Sequence, residues 1–282
     1  MRILICCIAC MMATTWAFAH WTDQPDLPDW AQRGHIHWCL HYSTANRELV
    51  DLFLDGGQNF LHGGAFDSPE TGQYAAEHGL RYMPYVCSRT LTTSEMEKNP
   101  QLQTAVLLNA DGSEFLAYNN PVRRYGSLHM PAWPEYVRER VQRVRKYPDV
   151  WAIFFDNAMV PTDDHRPENI RAWQQWAAER GIAPGDDVPS IYQSEGAGYS
   201  KAFSRDALIA YHAGLREYCH SQDPPLLNCP NAGNSYGMAA AEAGAIDLVF
   251  WETMSHPPFQ HNAWRYKEGL AASYGRPAAM LS

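Results

Sequence analysis

Short apolar runs alternate with amphipathic patterns along this chain, and each run ends in polar residues. The stretch "VWAIFFDNAM" (150–159) shows the motif: six largely apolar residues lead into Asp156 and Asn157. Such a run reads as a strand buried on both faces, the kind found in parallel sheets covered by helices. Strands are predicted at 35–42, 59–64, 81–88, 150–155, 225–231, 246–252 and 277–282, the third weakened by Pro84. Helices are predicted between them at 45–56, 69–79, 133–147, 166–181, 202–221, 235–244 and 260–274. Seven strands alternating with helices predict an α/β fold, a (β/α)8 TIM barrel truncated after its seventh strand. A doubly wound sheet is the alternative, but "LHYSTANRE" after the first strand lacks the glycine-rich phosphate turn of that architecture. Because "MLS" stops in mid-strand, the expectation is a fragment, incomplete at its C-terminus.

Three segments are expected. Residues 1–19 read as a secretory signal peptide: Arg2 opens it, an apolar run follows, and Ala17-Phe18-Ala19 offers a small-residue cleavage site after Ala19. Residues 20–33 form a lead-in and 34–282 the barrel. The protein is therefore expected to be secreted or periplasmic, without a membrane span. Three of the seven cysteines leave with the leader; Cys39, Cys87, Cys219 and Cys229 remain, and three pairings or four free thiols stay open. The formal charge of −9 becomes −10 without Arg2, and an acidic surface of that kind repels phosphate backbones, so nucleic acid is excluded as a partner. Aromatics reach 12%, with 10 Trp and 15 Tyr, a composition that suits sugar-binding clefts as well as a filled core. The irregular stretch from about 90 to 130 is expected to be a long loop with a small hairpin, its Tyr118, Arg123, Arg124 and the following Trp133 forming a cleft wall.

Barrel enzymes place their chemistry at the C-terminal ends of the strands. Here those ends are His41-Tyr42, His62-Gly63-Gly64, Ser88-Arg89, Asp156-Asn157, Asn228 to Asn231, and Trp251-Glu252. Asp156 and Glu252 supply two carboxylates for one cleft, the requirement for cleaving a glycosidic bond: one protonates the leaving oxygen, the other attacks the anomeric carbon or activates water. His41, His62, Arg89, Asn157 and Asn231 are candidate partners for sugar hydroxyls, and Tyr42, Tyr85 and Trp251 candidate stacking surfaces. The plainer reading makes Asp156 a loop cap and Glu252 the partner of an arginine.

"YPDVWAIFFDNAM" (147–159) resembles the fourth-strand signature of glycoside-hydrolase-like (β/α)8 proteins, where a similar strand follows a long helix. "NNPVRRYGSLHMPAWPEYVRERV" (119–141) and "LVFWE" (248–252) are similar to the corresponding parts of those chains, and the likeness covers most of residues 34–282. The resemblance implies carbohydrate-active chemistry on an oligo- or polysaccharide. In families with acids on strands four and six it makes Asp156 the nucleophile and Glu252 the proton donor. Families with Asn-Glu on strand four use the Glu, whereas this chain has Asp-Asn; a strand count shifted by one would put Glu252 on strand seven and exchange the roles.

Two other classes stay open. One is a barrel that binds glycans without cleaving them. The other is a metal-dependent hydrolase, because His35-Ile36-His37 is similar to the His-x-His of amidohydrolase-like barrels. That pair lies near the start of its strand, no lysine ends strand four, and later strand ends offer carboxylates without histidine beside them, so no metal and no cofactor is expected. The Asp pairs at 163–164 and 186–187 are oxygen-rich loop features of the kind that also occur without calcium. Oligomeric state, sugar, linkage and stereochemical outcome are not legible.

Overall fold

A computed structural model describes residues 27–31, 36–41, 43–159, 161–192, 196–252, 276 and 278–281; at residues 40–41, 251–252 and 279–281 it describes the backbone alone. The expected leader and the helix expected at 260–274 lie outside the described residues. Nine strands are described: β1 (Trp38–His41), β2 (Phe60–Gly63), β3 (Arg81–Cys87), β4 (Thr90–Thr92), β5 (Arg123–Tyr125), β6 (Ala152–Asp156), β7 (Leu227–Pro230), β8 (Val249–Glu252) and β9 (Ala278–Leu281). Seven of them run parallel in sequence order. The sheet β1-β2-β3-β6-β7 is continued by a bridge from Asn231 to Phe250 on β8, which pairs with β9. This is the strand order of a (β/α)8 barrel, with β6 fourth and β8 sixth.

The connecting helices are α1 (Arg47–Asp55), α2 (Pro69–Glu77), α3 (Thr93–Lys98), α4 (Ala132–Val144), α5 (Pro167–Ala178), α6 (Ala197–His220) and α7 (Ser235–Glu242). Their starts are set by local chemistry. Asn46 caps α1 by accepting from the Leu49 amide at 3.0 Å, Ser68 caps α2 with Pro69 in the first turn, and Asn234 caps α7. Thr92 and Glu95 form a reciprocal capping box on α3. Among the described residues no helix is long and apolar enough to cross a membrane.

Alternation along the strands builds two cores. Inward-facing Phe60, Met83, Phe154, Cys229 and Phe250 fill the barrel, while Leu61, Tyr82, Val86, Ile153 and Phe155 face the helices and meet Val50, Val137, Val141, Leu208 and Leu215. Each such buried aromatic or aliphatic side chain contributes about 2 kcal/mol. The barrel floor is closed by the turn Asp29–Ala31. Trp30 stacks on Phe60 at 5.6 Å and meets Trp151 edge-on at 5.2 Å, and Arg81 lies over both indoles.

Pro84 does not prevent β3 from forming, and its effect is visible in the register. Tyr82 pairs with Val150 and Tyr85 with Phe154, so β6 takes four steps against three in β3. The extra residue is a bulge opposite the one residue that has no N–H to donate. The ladder is restored for Tyr85 to Cys87, which brings Cys87 level with Asp156.

The stretch between β3 and α4 is more ordered than a loop. β4 and β5 form an antiparallel ribbon, α3 leaves its end, and 3-10 turns occupy Pro100–Ala105 and Ala117–Asn119. Trp133 is fully buried beneath it and donates its indole N–H to the Ser88 carbonyl at 3.1 Å, so it is a structural pin and not the cleft wall expected of it. Gly126 allows this: a Cβ there would come within 1.9 Å of the Trp133 ring. Cys39, Cys87, Cys219 and Cys229 are all free thiols, and all but Cys87 are buried.

Candidate active site

Asp156 is the last residue of β6, two positions beyond Phe154, whose ring faces the barrel interior. It therefore emerges at the mouth, on the inward face. Three donors converge on its carboxylate. The Tyr85 hydroxyl donates to Oδ2 at 2.5 Å, the Asn157 amide donates to the same oxygen at 3.0 Å, and the Asn231 amide donates to Oδ1 at 3.2 Å. The donors come from β3, from the residue after β6 and from the residue after β7. Neighbouring parallel strands in one register make that convergence unavoidable.

Each donor is held in turn. Asn157 has a left-handed backbone, φ 56°, a conformation asparagine adopts more readily than most residues. Its amide also donates to the Cys87 thiol at 3.3 Å, and its side-chain oxygen accepts from the Tyr118 hydroxyl. Tyr118 reaches it from the insertion because Tyr118 and Asn119 are both left-handed, at φ 57° and 56°. Two such residues in succession cost on the order of 1 kcal/mol or more each, and strain of this kind gathers where a side chain must be aimed. Tyr85 and Tyr118 remain 39% and 56% exposed, so the cluster is open to a ligand. Burial first, then the neighbouring Cys87 and the bond to Asp156, push the Tyr85 phenol well above its ordinary range. It stays protonated, and a donor, across the working pH range.

The other expected site residues are distributed differently. His62 is 1% exposed, with its ring 4.1 Å from Phe154 and 4.8 Å from Phe250. Burial pushes it down to about 3, so it is a neutral ring in the barrel interior, not a hydroxyl partner at the cleft surface. Arg89 is also buried. It donates to the Thr162 hydroxyl at 3.1 Å and lies over the Tyr125 ring, tying the loop after β6 to the insertion. The same tie uses the Asp pair at 163–164. Asp164 accepts from the Ser127 hydroxyl at 2.5 Å, and Asp163 accepts from Ser190 and the Ile191 amide at 2.6 and 2.8 Å. In the second pair, Asp187 meets His165 at 2.7 Å. These carboxylates already have protein partners.

The backbone of Glu252 ends β8, level with Leu281 and two residues beyond Phe250, on the sixth barrel strand as counted from the sequence. His41 ends β1 level with Gly63. The side chains of His41, Trp251 and Glu252, and all of Tyr42 and His35, lie outside the described residues. Tyr118 and Cys87 join the cluster although strand-end reasoning does not assign them there. The irregular loop pointed to Tyr118 as cleft wall; nothing in the sequence marked Cys87.

No protein-family model matches this chain, and no curated protein does. Solved structures do. A β-galactosidase from the Antarctic haloarchaeon Halorubrum lacusprofundi is 16% identical over 77% of this chain and 40% of its own, with a TM-score of 0.55. The glycoside hydrolase domain of PelA from Pseudomonas aeruginosa is 16% identical over 86% of this chain and 81% of its own, at 0.51. A β-galactosidase from the psychrophilic Marinomonas ef1 is 10% identical over 86% of this chain and 47% of its own, at 0.59. The chain thus spans less than half of those β-galactosidases and about four fifths of the PelA domain. The likeness establishes a glycoside-hydrolase-like barrel fold.

Proposed function

We propose that the protein is an exported glycoside hydrolase that cleaves an oligo- or polysaccharide with Asp156 as nucleophile and Glu252 as proton donor. The observation that carries this reading is the set of three donors on Asp156. Tyr85, Asn157 and Asn231 all donate to this carboxyl group and fix its orientation at the barrel mouth, which suits a nucleophile. An oriented carboxylate at a barrel mouth can attack, or electrostatically support, the carbon that gains positive charge as the glycosidic bond breaks. Glu252, ending the sixth strand, then has the other role: it gives its proton to the departing oxygen and afterwards removes one from the incoming water. The exposed rings of Tyr85 and Tyr118 beside Asp156 suit the faces of a sugar. The fold shared with known glycosidases supports the substrate class, and residues 1–19, read as a leader, support export.

The roles are separable by kinetics on a glycan panel. Asp156→Asn is expected to remove turnover by roughly 10⁴-fold or more. Glu252→Gln is expected to lose about 10²–10⁴-fold on natural glycans and much less on aryl glycosides, whose leaving group needs no proton. If neither substitution alters turnover of a glycan the protein cleaves, the pair is misassigned. Binding of glycans without cleavage of any would make the barrel a lectin-like module.

A further inference from the structure

Beside the Asp156 cluster lies a cavity of about 340 Å³ whose walls include Tyr85, Thr90, Glu95, Arg123, Arg140 and Arg143. At about 30 Å³ per water it has room for roughly ten waters, and so for one sugar ring. Three guanidinium groups against one carboxylate is an unusual concentration in a chain of formal charge −9. Arg140 is already committed: it donates to the carbonyls of Cys87 and Thr90 at 2.5 and 2.9 Å and pairs with Glu95 at 2.5 Å. Arg143 is exposed, with its guanidinium 5.7 Å from the Tyr136 ring.

Arg123 is the informative residue. It stands on β5 next to Arg124, which pairs with Glu114 at 2.6 Å and donates to the Pro121 and Arg123 carbonyls. Arg123 is half-buried, and among the described residues no carboxylate or carbonyl accepts from its guanidinium. Its N–H donors are therefore available to an anion seated in the cavity, and the planar guanidinium can meet one with two hydrogen bonds. The cavity also shares Tyr85 and Cys87 with the Asp156 cluster, and the charge of Arg123 acts on the Tyr85 hydroxyl that donates to Asp156.

We propose that Arg123, assisted by Arg143, binds an anionic substituent on a sugar unit next to the one held at Asp156, so that the ligand is an acidic glycan carrying uronate carboxylates or sulfate esters. The planar fork of arginine matches either anion with two parallel hydrogen bonds. That this ligand is a substrate rests on the hydrolase reading above; that it binds does not.

The test is calorimetric titration of the full chain at low salt. The probes are trisaccharides containing glucuronate, galacturonate or mannuronate, their sulfated counterparts, and neutral hexose trisaccharides of the same linkages. At least one acidic trisaccharide is expected to bind about tenfold tighter than its neutral counterpart, or about 1.4 kcal/mol. That margin should shrink as salt rises. Arg123→Met should abolish the margin and leave neutral affinity unchanged, and Arg123→Lys should restore only part of it. Arg143→Gln, on an exposed side chain with little effect on folding, should narrow it several-fold. A margin for uronates alone or for sulfates alone supports the proposal and names the anion. The absence of any acidic preference, or a preference that survives Arg123→Met, overturns it. Acidic preference without cleavage of any trisaccharide removes the hydrolase reading and leaves the anion site standing; cleavage without acidic preference does the opposite.

Discussion

Asp247→Asn should destabilise the protein by about 3 kcal/mol, and the size of that loss follows from the environment of the side chain. Asp247 is fully buried, two residues before β8 begins at Val249. Its carboxylate accepts from Arg216 Nε at 2.6 Å, His220 Nε2 at 2.9 Å and the backbone N–H of Asn228 at 2.9 Å, while its own N–H donates to Asn228 Oδ1 at 2.8 Å. It thus clips α6, β7 and β8 together. Asparagine keeps the shape, but it removes the charge and turns an N–H₂ group toward a donor. Disrupting a buried ion pair costs about 3–5 kcal/mol. The lower end applies because the Arg216 and His220 side chains are 21% and 32% exposed and can turn toward water. At about 2–4 °C per kcal/mol for chains of 150–250 residues, the melting temperature should fall by roughly 6–12 °C. Urea unfolding at pH 7 followed by circular dichroism measures it directly. The pH dependence supplies a second check. Burial alone would raise this carboxyl, but His220, the Asn228 amide and Arg216 outweigh burial and hold it below the ordinary range. Its stabilisation is therefore complete above about pH 4, the unfolded value, and is lost as pH falls through the lower folded value. The wild type and Asp247→Asn should differ fully at pH 7 and converge only below about pH 4. A difference under about 0.5 kcal/mol at pH 7, the range of ordinary surface substitutions, would refute the reasoning, as would a gap that widens in acid.

Three further outcomes are expected. Tyr85→Phe keeps the ring against Phe154 but removes a donor from Asp156; because the site is open to water the loss should be about 1–2 kcal/mol, read as a roughly 5–30-fold fall in kcat/KM with an unchanged melting temperature. Gly126→Ala places a methyl group inside the Trp133 ring, so it should displace that pin and cost about 2–3 kcal/mol or more, visible as a red-shifted tryptophan emission and a lower urea midpoint. Burial pushes the Cys39 thiol up to about 12 and raises Cys219 and Cys229 as well, so a thiol reagent at pH 8 should label Cys87 in the native protein and the other three only after unfolding.

Much of the barrel was legible because a strand buried on both faces leaves an unbroken apolar run, and "AIFF" before Asp156 admits little else. Caps such as Ser68-Pro69 and Asn234 likewise mark helix starts in the sequence itself. Strand ends were less informative about direction. The same rule that singled out Asp156 singled out His62 and Arg89. Alternation turned His62 into the barrel between two phenylalanines, and Arg89, beyond the end of β3, turned under the insertion. The placement of Tyr118 depends on two successive left-handed residues; Asn119 favours that backbone, but nothing local marks Tyr118 for it. Trp133 read as cleft wall because it adjoins an irregular loop. Its burial depends on the missing Cβ of Gly126, seven residues earlier in the chain. The bulge opposite Pro84 belongs to the same category: the proline is visible, but the strand that absorbs its missing N–H is not.

A crystal structure that resolves the Glu252 side chain measures the central claim most directly, through its carboxylate distance to Asp156. Glycosidase chemistry requires the two groups to face one cleft, about 5–5.5 Å apart for a retaining enzyme or about 6.5–9.5 Å for an inverting one. With Asp156 as nucleophile, the shorter separation is the result predicted here. A Glu252 side chain directed into the helical layer, or a separation well beyond the longer range, would contradict the account.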